Sequence, residues 1–124
     1  MARIRHIAIL TDDQPKLANF YKTAFEMKEV HRHPVLGPGA GAGEAIYLSD
    51  GELNLAILPT RGRPEGLHHF GFQVDDMQRV AATAGDLGGS RSAEALPKDG
   101  RFTELFVLDP VGNRIDLTEE GWKV

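Results

Sequence analysis

His6-Ile7-Ala8-Ile9-Leu10-Thr11-Asp12-Asp13 and His69-Phe70-Gly71-Phe72-Gln73-Val74-Asp75-Asp76 read as two copies of one pattern, 63 residues apart. Each opens on a histidine, alternates through a strand-like run and closes on paired aspartates. Past the aspartates, Leu17-Ala18 falls on Val80-Ala81. Tyr47-Leu48-Ser49-Asp50 then falls on Phe106-Val107-Leu108-Asp109 at an offset of 59, so the second copy is a few residues shorter before its last strands. Three matches in the same order mark an internal repeat.

Working outward, each copy predicts the same elements. From His6 to Thr11, Ile7 and Ile9 lie on one face and His6, Ala8 and Leu10 on the other, which is the period of a strand. Asp12 or Asp13 caps a helix over 13–25, with Pro15 tolerated in its first turn. Leu17, Phe20, Tyr21, Ala24 and Phe25 recur at helical spacing as its apolar stripe. Strands are expected at Met27–His33, Glu44–Ser49 and Leu53–Leu58, with a hairpin turn at Asp50-Gly51. In the second copy, Leu67–Val74 is a strand and Asp76–Leu87 a helix ended by Gly88-Gly89. Strands follow at Ser90–Ala95, Phe102–Leu108 and Arg114–Thr118, with Asp109–Asn113 turning between the last two. The chain is thus a single domain, 1–124, written as a first βαβββ module at 1–58, a Pro-, Gly- and Arg-rich linker at 59–66 and a second βαβββ module at 67–124. The fold class is α+β.

Composition sets outer limits. A chain of 124 residues fits one domain on the usual prior of about 100–200 residues. There is no cysteine, hence no disulfide, no thiolate metal site and no cysteine nucleophile. Fourteen basic and eighteen acidic side chains give a charge of −4. That balance argues against nucleic acid or an anionic membrane as partner, since both call for a basic footprint. Apolar runs such as Ile7-Ala8-Ile9-Leu10 fall far short of the about 20 residues of a membrane-spanning helix. Met-Ala-Arg-Ile-Arg-His lacks the apolar stretch of a secretory signal. A soluble, cytoplasmic protein is expected.

Strand parity then selects candidate ligands. His6 sits with Ala8, away from Ile7 and Ile9. His69 sits with Gly71 and Gln73, away from Phe70, Phe72 and Val74. On the last strand, Asp116 lies opposite Ile115 and Leu117, where a buried charge needs a partner. Two imidazoles and a carboxylate bind Fe(II), Mn(II), Ni(II), Co(II) or Zn(II) and leave positions for water or substrate. Taken singly, each residue also reads as structural: a core histidine bonded to backbone, or an aspartate paired with a neighbouring arginine.

The chain resembles the vicinal oxygen chelate superfamily, which includes glyoxalase I, methylmalonyl-CoA epimerase, extradiol dioxygenases and antibiotic-resistance proteins. The residues that carry the likeness are Arg5-His6-Ile7-Ala8-Ile9, Asn19-Phe20-Tyr21, Gly66-Leu67-His68-His69-Phe70-Gly71-Phe72 and Asp109-Pro110-Val111-Gly112-Asn113-Arg114-Ile115-Asp116-Leu117. It implies two βαβββ modules whose mixed sheets form an open cup around one divalent metal ion, and a homodimer. The opening strands would supply His6 and His69, and the closing strand of the second module Asp116 where the family has Glu. The matching place in the first module is Ala56, or Asn54 after a one-step register slip. The implied function is a metal-dependent enzyme that chelates a small substrate through two neighbouring oxygens, as a dioxygenase or as a lyase or isomerase of the glyoxalase type. The alternative is a non-catalytic small-molecule binder of the antibiotic-resistance type.

Other residues complete the reading. Tyr47, Glu104 and Gln73 are candidate bases or substrate contacts, and Glu104 between Phe102 and Phe106 would have its pKa raised by apolar company. The competing reading of Glu104 is a surface carboxylate. His68 has the opposite parity to His69. His31 and His33 share a strand face, as a solvated edge or as groups near a substrate. Gly37–Gly43 lacks the residues of a phosphate loop and reads as a lid or plain loop. Trp122 covers the cup or meets a second subunit.

Overall fold

Strand alternation and two aspartate caps produce the elements. The computed structural model describes residues 1–38, 43–91 and 104–124. The elements run β1 (Arg3–Thr11), α1 (Gln14–Ala24), β2 (Lys28–Pro34), β3 (Glu44–Ser49), β4 (Asn54–Pro59), β5 (Gly66–Gln73), α2 (Met77–Asp86), β6 (Ser90–Arg91), β7 (Leu105–Leu108) and β8 (Arg114–Thr118). This is βαβββ twice over, in an α+β fold. Asp13, not Asp12, caps α1: its Oδ1 accepts from Lys16 N at 3.1 Å, as Asp76 Oδ1 accepts from Arg79 N at 3.0 Å for α2. Asp12 instead accepts from Thr60 Oγ1 at 2.6 Å.

By contact the chain divides into two compact units, residues 6–68 with 122–124 and residues 69–121 with 1–5. In the first the strand order is β2-β3-β4-β1, with β1 parallel to β4 and the other neighbours antiparallel. In the second it is β5-β8-β7-β6, with β5 parallel to β8. Each helix covers one sheet face. Ala18 of α1 buries with Ile46, Leu48, Leu55 and Ile57, and Leu17, Tyr21, Ile7 and Ile9 pack around them. Met77 and Ala81 of α2 bury with Val74, Leu105, Val107 and Leu117.

Phe20 and Phe25 depart from the expected stripe, for both are exposed. At about 100° per residue, Leu17, Ala18 and Tyr21 cluster on one side and Phe20 falls on the flank. Phe25 is the cap residue, where the chain has already left the helix. Their rings meet each other and Tyr21 instead. In the second module the ladder between β7 and β8 opens at Leu105 opposite Leu117, so Glu104 precedes the strand. Residues 92–95 and 102–103 of the expected strands, and 39–42 of the glycine-rich loop, lie outside the described residues.

Register makes the two modules comparable residue by residue. His6 pairs with Asn54 and Ala8 with Ala56. His69 pairs with Arg114 and Gly71 with Asp116. Ala56 is therefore the counterpart of Asp116, and Asn54 the counterpart of Arg114. Tyr47, opposite Ala56, answers to Phe106, opposite Asp116. The turns repeat too: Asp50 Oδ1 accepts from Glu52 N and Leu53 N, and Asp109 Oδ1 from Val111 N and Asn113 N.

Two consequences are measurable. A Cβ on Gly89 would stand 2.4 Å from the Leu108 carbonyl oxygen and 3.0 Å from that of Ala84, whereas one on Gly85 meets nothing within 4 Å. Gly89→Ala should lower stability by about 1–3 kcal/mol in urea denaturation. Gly85→Ala should be neutral or raise it by up to about 1 kcal/mol. On β2, which has one strand partner, Glu29 hydrogen-bonds Arg32 and Lys22, and these contacts hold its carboxyl down at about 2, against an ordinary 4.5. A depressed carboxyl stabilises the fold above its unfolded value and loses that contribution as pH falls from about 4.5 towards 2. Glu29→Gln should flatten the acid limb of the stability curve across that window, by no more than about 1 kcal/mol because the pair is solvent-screened. An unaltered acid limb would show that the ion pairs carry no net weight.

Candidate functional site

In the first module, β1 presents His6 on the face turned away from the Ile7 and Ile9 stripe. His6 is buried, and its Nδ1 lies 2.9 Å from Asn54 Oδ1. The amide of Asn54 is oriented by a second bond, Nδ2 donating to the Lys123 carbonyl at 2.8 Å. Oδ1 is therefore the acceptor and Nδ1–H of His6 the donor, which puts the neutral ring's lone pair on Nε2. Trp122 stacks on the His6 ring with centroids 4.5 Å apart and planes 10° from parallel. Of the two sequence alternatives for Trp122, the cup or a second subunit, the described contact is this one with His6.

In the second module, β5 and β8 place His69 and Asp116 on one face. His69 Nε2 stands 3.1 Å from Asp116 Oδ2, with the two side chains 7% and 2% exposed. Arg114 Nε donates to the other oxygen, Oδ1, at 2.8 Å. The Arg114 guanidinium lies 4.4 Å from the centre of the Phe106 ring, a cation–π contact. Burial pushes the Asp116 carboxyl up, but the hydrogen bonds from His69 and Arg114 outweigh it and hold the group below the ordinary carboxylate range. Asp116 is thus an anion paired with a neighbouring arginine, as its structural reading in the sequence had it, whereas His69 and His6 meet side chains, Asp116 and Asn54.

The donor chemistry fits a divalent ion. Neutral imidazole nitrogen and carboxylate oxygen suit borderline divalent ions such as Fe, Co, Ni, Mn and Zn. His6, held in one tautomer by an amide acceptor, has the backing that metal-ligating histidines ordinarily have.

The other candidates distribute as follows. Tyr47 is half-buried in the row His31, Tyr47, Ala56, Ala8, on the face that carries His6. His33 Nδ1 donates to the Pro34 carbonyl at 3.0 Å, so its Nε2 accepts from the Tyr47 hydroxyl at 3.2 Å. His31 and His33 have ring centres 5.4 Å apart. Gln73 is committed to the backbone, Nε2 donating to the Glu119 carbonyl at 3.2 Å. Glu104 is exposed. His68 Nε2 accepts from Arg63 Nη1 at 3.3 Å. The sequence offered Asn54 only as an alternative to Ala56, which the register sets aside, and gave Arg114 no role of its own. Their signal was available: Arg114 shares parity with Asp116 two residues on, and Asn54 occupies the matching place in the repeat.

Asn54→Leu removes the acceptor for His6 Nδ1 and the donor to Lys123. Stability in urea should fall by about 1–3 kcal/mol, and the emission of Trp122, the sole tryptophan, should shift as its stacked partner loosens. An unchanged midpoint and spectrum would show that the amide does not position His6.

Comparison with known proteins agrees with this fold. No curated protein matches the sequence. A hypothetical protein of Bacillus halodurans superposes with a TM-score of 0.76 at 16% identity, covering 99% of this chain and 97% of that one. Methylmalonyl-CoA epimerase of Mycobacterium tuberculosis gives 0.69 at 15% identity, covering 93% and 85%. A variant of Streptomyces coelicolor methylmalonyl-CoA epimerase, in complex with 2-nitronate-propionyl-CoA, gives 0.67 at 24%, covering 93% and 94%. At these identities the likeness is one of fold. Among the described residues no helix is long and apolar enough to cross a membrane. Residues 3–117 match the profile of one family, and the chain belongs to it: the Glyoxalase/Bleomycin resistance protein/Dioxygenase superfamily.

Proposed function

We propose that this protein is a metal-dependent enzyme acting on a small molecule with two neighbouring oxygens, and that His6, His69 and Asp116 together hold one divalent ion. The observation that carries the reading is the ladder equivalence of His6 and His69, one imidazole at the same register position in each module. It is supported by the burial of each of the three side chains within its own unit. In this reading residues 1–124 act as one functional domain, with modules 1–58 and 67–124 and the linker 59–66 between them. A homodimer and a cytoplasmic setting belong to the same proposal.

A bound divalent ion supplies Lewis acidity to two adjacent substrate oxygens. The chain's own residues do the rest. Asn54 keeps His6 in the tautomer whose Nε2 carries the lone pair. Arg114 occupies one oxygen of Asp116, so the other is turned to His69. His69 Nε2 stands against Asp116 Oδ2, so His69 would hold an ion only with the lone pair, not a proton, on that nitrogen. Tyr47 and Glu104 are the proposed proton-handling groups, Tyr47 through a hydroxyl directed at His33 and Glu104 through an exposed carboxylate. The reaction is of the dioxygenase type or of the lyase and isomerase type. Because several fold relatives are methylmalonyl-CoA epimerases, isomerisation of a small acyl compound is included in the proposal.

Metal analysis of protein purified without chelator tests this. The wild type should carry a stoichiometric divalent ion. His6→Ala and His69→Ala should lose it, and Asp116→Asn should bind on the order of 10–100-fold more weakly. Added Co(II) or Ni(II) should quench Trp122 in the wild type but not in His6→Ala. A wild type without metal that binds aromatic compounds in its place would overturn the enzyme reading in favour of a non-catalytic binder.

A further inference from the structure

We propose that Arg114 is a specificity-determining residue that selects ligands carrying a negatively charged oxygen beside Asp116. The proposal rests on the metal-binding reading above and adds the charge class of the ligand to it. Arg114 and Asp116 are two apart on β8 and share the face that carries His69 and Gly71. The guanidinium is fixed twice: Nε donates to Asp116 Oδ1 at 2.8 Å, and Cζ lies over the Phe106 ring, 4.4 Å from its centre. Phe106 stands directly opposite Asp116 in the β7–β8 ladder, so strand register maintains the arrangement.

A guanidinium has five N–H donors in a rigid fork. One is used on Asp116. Among the described residues nothing hydrogen-bonds Nη1 or Nη2, and the side chain is 36% exposed while Asp116 is 2% exposed. The outer edge of the fork is therefore presented to an incoming ligand on a plane already held in place. Such pre-organised forks recognise carboxylate and phosphate oxygens. Electrostatics points the same way. Arg114 cancels the charge of Asp116, so a divalent ion added there keeps its full dipositive charge. A dianionic ligand offsets that charge, and a neutral one does not. Gly71 completes the row Gly71, Asp116, Phe106 without a side chain of its own.

The probes are oxalate, a dianion with two adjacent oxygen donors, and imidazole, which is neutral. Each is titrated into full-length protein loaded with Co(II), and the visible absorption of the ion is followed. Metal content is measured first for wild type, Arg114→Gln and Arg114→Lys. Arg114→Gln should bind oxalate about tenfold more weakly and imidazole within about twofold of wild type. Arg114→Lys, which keeps the charge and loses the fork, should recover part of the oxalate affinity. If the variants load Co(II) and oxalate binding is unchanged in Arg114→Gln, the Arg114 proposal is wrong while the metal reading stands. Equal weakening of oxalate and imidazole also overturns it, since that marks an arginine serving only to neutralise and position Asp116. A wild type that takes up no Co(II) removes the metal reading and this proposal together.

Discussion

A carboxylate that is almost wholly buried has to be neutralised where it sits, and the second module is arranged around meeting that demand for Asp116. Each of its oxygens has a separate partner, Arg114 on one and His69 on the other. Strand parity brings all three to one face, while Ile115 and Leu117, of the opposite parity on β8, enter the core under α2. The polar face and the apolar core are two sides of the same few residues. Moving β8 by one position would exchange them, so the register is set by the site and by the core at once.

The first module meets a gentler version of the same problem. With Ala56 where Asp116 has its counterpart, there is no buried charge to offset. His6 needs a neutral acceptor, and Asn54 supplies it from the position that Arg114 holds in the other copy. Duplication thus kept the strand plan and the turn chemistry of Asp50 and Asp109, and diverged at the face opposite the helices. One copy is cationic and anionic there, the other amide and aromatic.

The strand parity of His6, His69 and Asp116 was legible in the sequence because period-two alternation depends only on neighbouring residues. The helices were legible for the same reason, with aspartate caps and an apolar spacing to mark them. Phe20 and Phe25 were misplaced, since helical spacing does not say how wide a stripe the sheet can cover or where the last turn ends. Asp12 and Asp13 were indistinguishable until Thr60, far along the chain, claimed one of them. The roles of Asn54 and Trp122 depend on contacts across most of the chain length, which local pattern does not encode. Arg114 lay within reach, two residues from Asp116, yet a neighbouring arginine is ambiguous until a ring such as Phe106 fixes where its fork points.

The tie between Asn54 and the Lys123 carbonyl joins residues 69 apart in sequence, and the stack of Trp122 on His6 spans more. The first module is therefore finished by residues that follow the last strand of the second. During synthesis, strands β1 to β4 and α1 emerge early and can collapse around Ile46, Leu48 and Ile57 on their own account. His6, however, cannot acquire its final surroundings until residue 123 has emerged. Loop closure over that distance comes late and is slow compared with the local hairpins. The order of assembly thus runs from apolar core to ligand geometry, and a nascent chain holds its first histidine in an unfinished setting until translation has passed the last strand.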